Sequence, residues 1–357
     1  MITLQQLLEE MIQKKASDLH ITAGVSPVFR IDGELMQSNH DVLTPEMTQS
    51  LAYSILNDRQ KKKFEMEYEL DLSFGVQGLS RFRGNVFLQR GCTAMALRTI
   101  PWEIRSFQEL GLPPVAAELA SKPRGLVLVT GPTGSGKSTT LATMLDKVNT
   151  ERRSHILTVE DPIEYMHRHK KSIINQRQLE ADTKSFENAL KYVLRQDPDV
   201  VLVGEMRDLV TFEAALRIAE TGHLTFATLH TNSAAESIHR IIDAFPAYQQ
   251  PQVRAQLAFV LEGVMTQQLL PLTKGGRIMA LEVMVCTPAI KAMIRDDKVH
   301  QIYSLIQAGT KYGMQTMNQA LFQLFMDKKI SMDSAFDYTP NSEELDQMIK
   351  RRQATLV

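Results

Sequence analysis

The sequence is short of several things, and each shortage excludes a class of protein. Its 357 residues hold two cysteines, Cys92 and Cys286, distant and solitary. Neither a disulfide framework nor a paired-cysteine zinc knuckle can be built from them, and buried reduced thiols are the expected state. No apolar run approaches the ~20 residues of a membrane span. The opening MITLQQLLEEMIQKK interrupts Leu4, Leu7, Leu8, Met11 and Ile12 with Glu9 and Glu10, which makes one helical face and not the unbroken core of a signal peptide. Net charge is −1, with 40 Lys and Arg against 41 Asp and Glu, so the whole chain offers no field for nucleic acid or an anionic membrane, and no nucleic-acid partner is expected. Internal repeats and low-complexity tracts are missing too. What remains is ordinary globular composition, 43% hydrophobic and 23% charged, in a chain too long for one comfortable core. Two domains and a cytoplasmic location are expected.

What is present starts with residues 125–139, GLVLVTGPTGSGKST. Leu126 to Val129 is a short apolar run of the kind buried on both faces of a parallel sheet, and Thr139 to Val148 recurs apolar at helical spacing through Leu141, Met144, Leu145 and Val148. The loop between them reads as a cradle for a nucleotide's phosphates. Backbone N–H groups converge on an anion only where side chains stay away, which Gly131, Gly134 and Gly136 allow, with Pro132, Thr133, Ser135 and Thr139 completing the loop. The helix opening near Lys137 turns its positive end to the anion, Lys137 reaches the β- and γ-phosphates, and the Ser138 hydroxyl is placed to ligate Mg²⁺.

Before this stretch, residues 1–100 read as a small α+β domain. Strand signals lie at His20–Thr22, Val28–Ile31, Leu70–Phe74, Arg81–Leu88 and Thr93–Leu97, with a hairpin turn at Asp32-Gly33 and a helix from Thr44-Pro45-Glu46 to Leu56. Prolines and glycines in 101–113 mark a linker, and 114–357 form the second domain. There strands at His155–Glu160, Val200–Val203 and Leu224–Leu229 alternate with helices near Thr183–Arg195 and Thr211–Glu220, the grammar of a parallel sheet wrapped by helices. From about residue 251 the chain reads as mostly helical, with one long amphipathic helix over Val253–Leu269 and a single strand at Ile278–Val285.

Two acidic clusters fall where such a sheet presents its active edge, at the C-terminal ends of strands. One is TVEDPIE at 158–164. The other is DVVLVGEMRD at 199–208, whose Glu205 follows Gly204 where the common pattern has an Asp. Glu164 is assigned as general base for the attacking water, and Glu160 and Glu205 as metal-holding or water-positioning carboxylates. His223 and His230 bracket the strand Leu224–Leu229. His230 is the expected sensor of the γ-phosphate, and His223 is placed with the nucleotide-binding residues.

GPTGSGKST, TVEDPIEY, DVVLVGEMRD and TGHLTFATLHTN together resemble the secretion ATPase superfamily, and within it the retraction ATPases of type IV pili. ASDLHI at Ala16–Ile21, RIDGEL at Arg30–Leu35, SRFRGNVF at Ser80–Phe87 and LRQDPD at Leu194–Asp199 extend the resemblance to nearly the whole chain. It implies an α/β, RecA-like P-loop ATPase domain preceded by a PAS-like domain and followed by a helical tail. It also implies a homo-hexameric ring in which hydrolysis of ATP with Mg²⁺ drives a pilus machine from the cytoplasmic side of the inner membrane. A membrane platform protein and a paralogous retraction ATPase are the implied partners. A site of this kind still needs a cation opposite the leaving phosphate, commonly from a neighbour, and Arg81, Arg83 and Arg98 are candidates. The resemblance favours Arg83 and Arg98, with Arg195. Extension and type II secretion ATPases are the rivals within the superfamily, but these usually carry a four-cysteine zinc motif and a longer N-terminal region. From another class, the rival is a nucleotide-gated scaffold with negligible turnover. The segment Thr287–Asp296 resembles the retraction family's A-I-R-N-L-I-R-E motif at Ala289, Ile290, Ile294 and Arg295, and departs from it at Lys291 and Ala292.

Overall fold

A computed structural model describes residues 2–31 and 33–355. The chain divides into two compact units, the first made of residues up to Glu103 together with Glu164–Met166, the second of Ile104–Ile163 and everything from His167 on.

The first unit is built on a six-stranded antiparallel sheet in the order β3-β2-β1-β6-β5-β4. Its strands are β1 (Asp18–Ile21), β2 (Val28–Ile31), β3 (Glu34–Gln37), β4 (Glu69–Val76), β5 (Ser80–Gln89) and β6 (Cys92–Ile100). Helix α1 (Leu4–Gln13) starts from a capping box at Thr3 and buries Leu4, Leu7, Leu8 and Met11, the i, i+3, i+4, i+7 stripe of its sequence. Helices α2 (Pro45–Tyr53) and α3 (Asp58–Glu67) complete the unit; α3 escapes a sequence reading because Phe64 is its one buried residue. Of the expected hairpin turn, Asp32 lies outside the described residues, while Gly33 sits at φ +92° and Ile31 pairs with Glu34.

In the second unit, α4 (Phe107–Leu110) and α5 (Pro114–Ala120) lead into a seven-stranded sheet ordered β13-β12-β7-β11-β10-β8-β9. These strands are β7 (Gly125–Thr130), β8 (His155–Glu160), β9 (Ile173–Gln178), β10 (Val200–Val203), β11 (Leu224–Leu229), β12 (Leu261–Pro271) and β13 (Arg277–Val285). All neighbours pair in parallel except β12 with β13. Helices α6 (Lys137–Glu151), α7 (Phe186–Val193), α8 (Leu209–Glu220), α9 (Ala234–Asp243) and α10 (Gln250–Val260) wrap the sheet. Beyond β13 follow α11 (Pro288–Arg295), α12 (Ile302–Gln307), α13 (Met317–Met326), α14 (Met332–Asp337) and α15 (Ser342–Thr355). Among the described residues no helix is long and apolar enough to cross a membrane.

The region from residue 251 corrects the sequence reading. The single helix expected over Val253–Leu269 ends at Val260, and the chain continues as β12, hydrogen-bonded to β7 on one side and β13 on the other. A strand buried on both faces has no period-2 signature, so an apolar run of this kind fits a helix equally well, and pairing with β7, far off in sequence, decides. Gly263 makes the close fit: a Cβ there would lie 2.8 Å from Leu119 Cδ1 and 3.0 Å from the Met284 carbonyl oxygen. Strand β9 was missed for the opposite reason, since Ile173–Gln178 is largely polar and lies at the sheet edge.

Candidate functional site

The phosphate loop leaves the fully buried β7 and enters α6 through backbone that favours glycine. Gly131, Gly134 and Gly136 sit at φ +136°, +79° and +90°. A Cβ on Gly131 would stand 2.2 Å from the Gln267 carbonyl oxygen, so β12 seals the loop's floor. Gln267, wholly buried, donates through Nε2 to the Ser135 carbonyl at 2.7 Å, and Thr266 and Thr130 share a hydroxyl hydrogen bond of 2.8 Å one residue below. Sequence reasoning missed Gln267 because it placed these residues on a helix; the signal was a glutamine inside an apolar run.

Lys137, 9% exposed, folds its ammonium back onto the loop, donating to the carbonyls of Gly131 at 2.7 Å and Pro132 at 3.0 Å, with His230 Nδ1 at 3.5 Å. Among the described residues, buried Ser135 Oγ and Gln267 Oε1 have no hydrogen-bond partner. A concave, glycine-built loop with a folded-back lysine and unpaired buried polar atoms fits a polyphosphate.

Glu205 follows β10 and meets Arg207 at 2.7 Å and His230 Nε2 at 3.2 Å. Partial burial pushes its carboxyl up, but hydrogen bonding and charge from Arg207 and then His230 outweigh that and hold it below the usual carboxylate range. Thus His230 bridges Lys137 and Glu205, which joins three of the expected residues in one cluster. Gly204 explains the missing aspartate: its N–H donates to the Val159 carbonyl at 2.8 Å, and a Cβ there would stand 3.0 Å from Glu160 Cα. The closeness that forbids a side chain at 204 brings Glu160 to the same strand ends. Glu160 Oε1 accepts from Thr158 Oγ1 at 2.6 Å and from Gln176 Nε2 at 3.3 Å, and Gln176 Oε1 in turn accepts the His167 N–H at 2.9 Å. Gln176 of β9 therefore ties both feet of the loop that carries Glu164. Burial drives the His167 imidazole pKa down to about 4, so this foot is neutral.

Ser138, half-buried on the first turn of α6, is the hydroxyl available to a cation held between loop and carboxylates. Among the described residues no three His, Cys, Asp or Glu side chains converge into a cage. Mg²⁺ needs none, because it is held by one or two carboxylates together with phosphates and water. Ser138, Glu205 and Glu160 fit that donor set.

Other expected residues lie elsewhere. Strand β11 separates its two histidines by its whole length, and His223 sits at the N-terminal edge, its Nδ1 3.1 Å from both the Ile218 carbonyl and Thr221 Oγ1. A strand of six residues puts its ends about 17–20 Å apart, so His223 lies away from the phosphate loop of its own unit. Arg195 follows α7, just before β10 begins, and stacks its guanidinium 5.5 Å from the centre of the exposed Tyr192 ring. It too lies away from its own unit's phosphate loop. Arg83 and Arg98 belong to the first unit, where they face each other across β5 and β6. Glu164 is exposed and groups with that unit through residues 164–166.

Comparison with known proteins gives this arrangement a family. The model of the family described as type II/IV secretion system protein matches residues 1–274. A type IV pilus retraction ATPase of Pseudomonas aeruginosa, PilT, is 48% identical over 332 residues, 93% of this chain and 96% of that one. A twitching motility protein of Neisseria gonorrhoeae is 44% identical, covering 96% of this chain and 91% of its own length. The crystal structure of a pilus retraction motor PilT with bound ADP superimposes with a TM-score of 0.92 at 50% identity, covering 97% of this chain and all of that one. The α/β architecture, a RecA-like ATPase domain after an α+β N-terminal domain, is the one these proteins share, and the chain belongs to the type II/IV secretion system protein family.

Proposed function

We propose that this chain is the subunit of a homo-hexameric, Mg²⁺-dependent ATPase motor that retracts type IV pili and so supports twitching motility. It works in the cytoplasm, at the base of the pilus, against an inner-membrane platform protein and alongside a paralogous retraction ATPase. The observation that carries the catalytic half of this reading is the Lys137–His230–Glu205 cluster at the mouth of a glycine-built loop. The pilus half is supported by the likeness, over nearly the full chain, to relatives named for retraction and twitching.

Within this reading the backbone N–H groups of residues 131–139 hold the ATP phosphates, and Lys137 exchanges its two carbonyls for phosphate oxygens. Ser138 with Glu205 and Glu160 would hold Mg²⁺, which would supply positive charge against the phosphates. Glu205, already engaged by Arg207 and His230, orients, and Glu164 takes the proton of the attacking water. His230, in contact with both Lys137 and Glu205, reports which of them the nucleotide has drawn away. Arg83, Arg98 and Arg195, none on the loop of its own ATPase unit, serve a neighbouring subunit's nucleotide.

Two tests separate the parts. Glu164→Ala should bind ATP normally by titration calorimetry while losing turnover about a thousandfold; near-wild-type phosphate release would move the base to another residue. Retraction is read in a strain lacking its own retraction ATPase, where this protein should restore pilus shortening and twitching. Rescue of pilus assembly in an extension-deficient strain would instead make it an extension motor. Helix α11 gives that test its context: Ile290 and Ile294 of the motif-like segment are wholly buried in the unit's own core, leaving Lys291, 3.3 Å from Glu262, and Arg295 as its polar groups.

A further inference from the structure

The first unit's sheet carries a row of charge that the proposed reaction uses only in part. Ser73, Arg83, Arg98, Asp18 and Arg30 stand directly opposite one another on β4, β5, β6, β1 and β2. All are on the face turned from the apolar core, because the alternating Leu19, Phe29, Phe82 and Leu97 are buried. Arg83 and Arg98 form a like-charge cross-strand pair, an arrangement that weakens a sheet. The row sets one carboxylate beside three guanidinium groups, of which Arg98 and Arg30 reach it. Asp18 is 8% exposed, accepts from Arg98 Nε at 2.8 Å and from Ser17 Oγ at 2.7 Å, and has Arg30 Nε at 3.8 Å.

The grip on Arg98 is specific. Asp18 accepts from Nε, while the Arg98 side chain stays 68% exposed, and among the described residues neither Nη group donates a hydrogen bond. A surface ion pair is usually mobile and weak, but here one partner is buried and held by a second hydrogen bond, which fixes the stem of the guanidinium and leaves its fork free. An arginine so anchored loses little further rotamer freedom on meeting a phosphate, and where its fork meets charge that develops in the transition state the gain goes to the rate more than to ground-state binding.

We propose that Asp18 is a positioning residue for Arg98, holding it in the pose in which its Nη groups meet the phosphates of a nucleotide bound to another copy of this chain. The proposal rests on the reading that Arg98 completes a neighbour's site. Asp18 touches no substrate; it acts through Arg98.

The test is a double-mutant cycle on the full-length protein, with steady-state phosphate release from MgATP, ADP affinity and melting temperature measured for each variant. Asp18→Asn should lower kcat about tenfold with KM and ADP affinity unchanged. In an Arg98→Ala background the same change should cost less than twofold, because nothing is left to position. A tenfold loss in both backgrounds would make Asp18 a structural residue and overturn the proposal, as would a full kcat for Asp18→Asn where Arg98→Ala is impaired. Full activity for Arg98→Ala would instead sink the underlying reading. If Asp18→Asn does not fold, Ser17→Ala takes its place, removing one hydrogen bond to the Asp18 carboxylate; a two- to threefold loss of kcat is expected, again absent in Arg98→Ala, and an unchanged kcat would overturn the proposal.

Discussion

The two edges of the seven-stranded sheet are made from similar residues and left in different states. At the N-terminal edge His155 donates its N–H to Asp199 at 2.8 Å, its ring meets the Asp197 carbonyl and Asn175, and His223 is held by Ile218 and Thr221. At the C-terminal edge Lys137 rests on carbonyls, Glu205 is shared by Arg207 and His230, and Ser135 Oγ and Gln267 Oε1 find no partner among the described residues. Polar groups that satisfy one another belong to the fold; charges held by partners they can exchange, beside unpaired buried atoms, belong to a ligand. The contrast therefore assigns roles to residues of the same type, and it can be broken one residue at a time.

The largest effect should come from Lys137→Ala, which removes the cation of the cradle. Turnover should fall on the order of a thousandfold and ATP affinity should weaken measurably by calorimetry. Undiminished phosphate release would mean that the loop does not hold the triphosphate. Next comes Glu205→Gln, which keeps the shape but leaves Arg207 and His230 without their anion. A loss of kcat of about a hundredfold is expected, with a higher Mg²⁺ concentration needed for half-maximal rate. An unaltered Mg²⁺ requirement would take Glu205 out of the metal's surroundings.

How much of this contrast the sequence discloses depends on how local its causes are. The cradle is written in contiguous residues, since glycine spacing fixes where φ can be positive and an apolar run fixes the strand before it; residues 125–139 could be read without a structure. So could β8, β10 and β11, whose runs are short and bounded by turns. Gln267 could not, because its place under the loop comes from β12 pairing with β7 across more than a hundred residues. Nor could Gln176, on a polar edge strand. Gly204 shows the same limit from another side: its sequence says only that an aspartate is absent, while the structure shows the Glu160 backbone occupying that room. His223 and His230 share one sequence motif, whose adjacency conceals that a strand's length separates them.

His230 tests the active edge directly. With Nδ1 3.5 Å from Lys137 Nζ and Nε2 3.2 Å from Glu205, it joins two charged groups. Hydrogen bonds to charged groups contribute about 1.5–3 kcal/mol, so His230→Ala should lower kcat roughly ten- to a hundredfold while ADP affinity changes little. If affinity fell and kcat did not, His230 would be a binding residue and its link to Glu205 incidental.

The smallest effect is the one that most sharpens the comparison. His223 terminates the same strand as His230, and its carbonyl accepts the Gly125 N–H at 3.1 Å, a bond that any residue at this position can make. Its ring closes the end of α8 through Ile218 and Thr221. A neutral hydrogen bond of this kind contributes about 1 kcal/mol to stability and nothing to a reaction at the opposite edge. His223→Ala should therefore lower the unfolding free energy by about 1 kcal/mol in a denaturant titration while kcat stays within about twofold of wild type. Loss of turnover comparable to that of His230→Ala, with stability intact, would mean that the N-terminal edge also takes part in the reaction, for instance by facing a neighbouring subunit. The division of labour between the two edges would then have to be redrawn between chains and not within one.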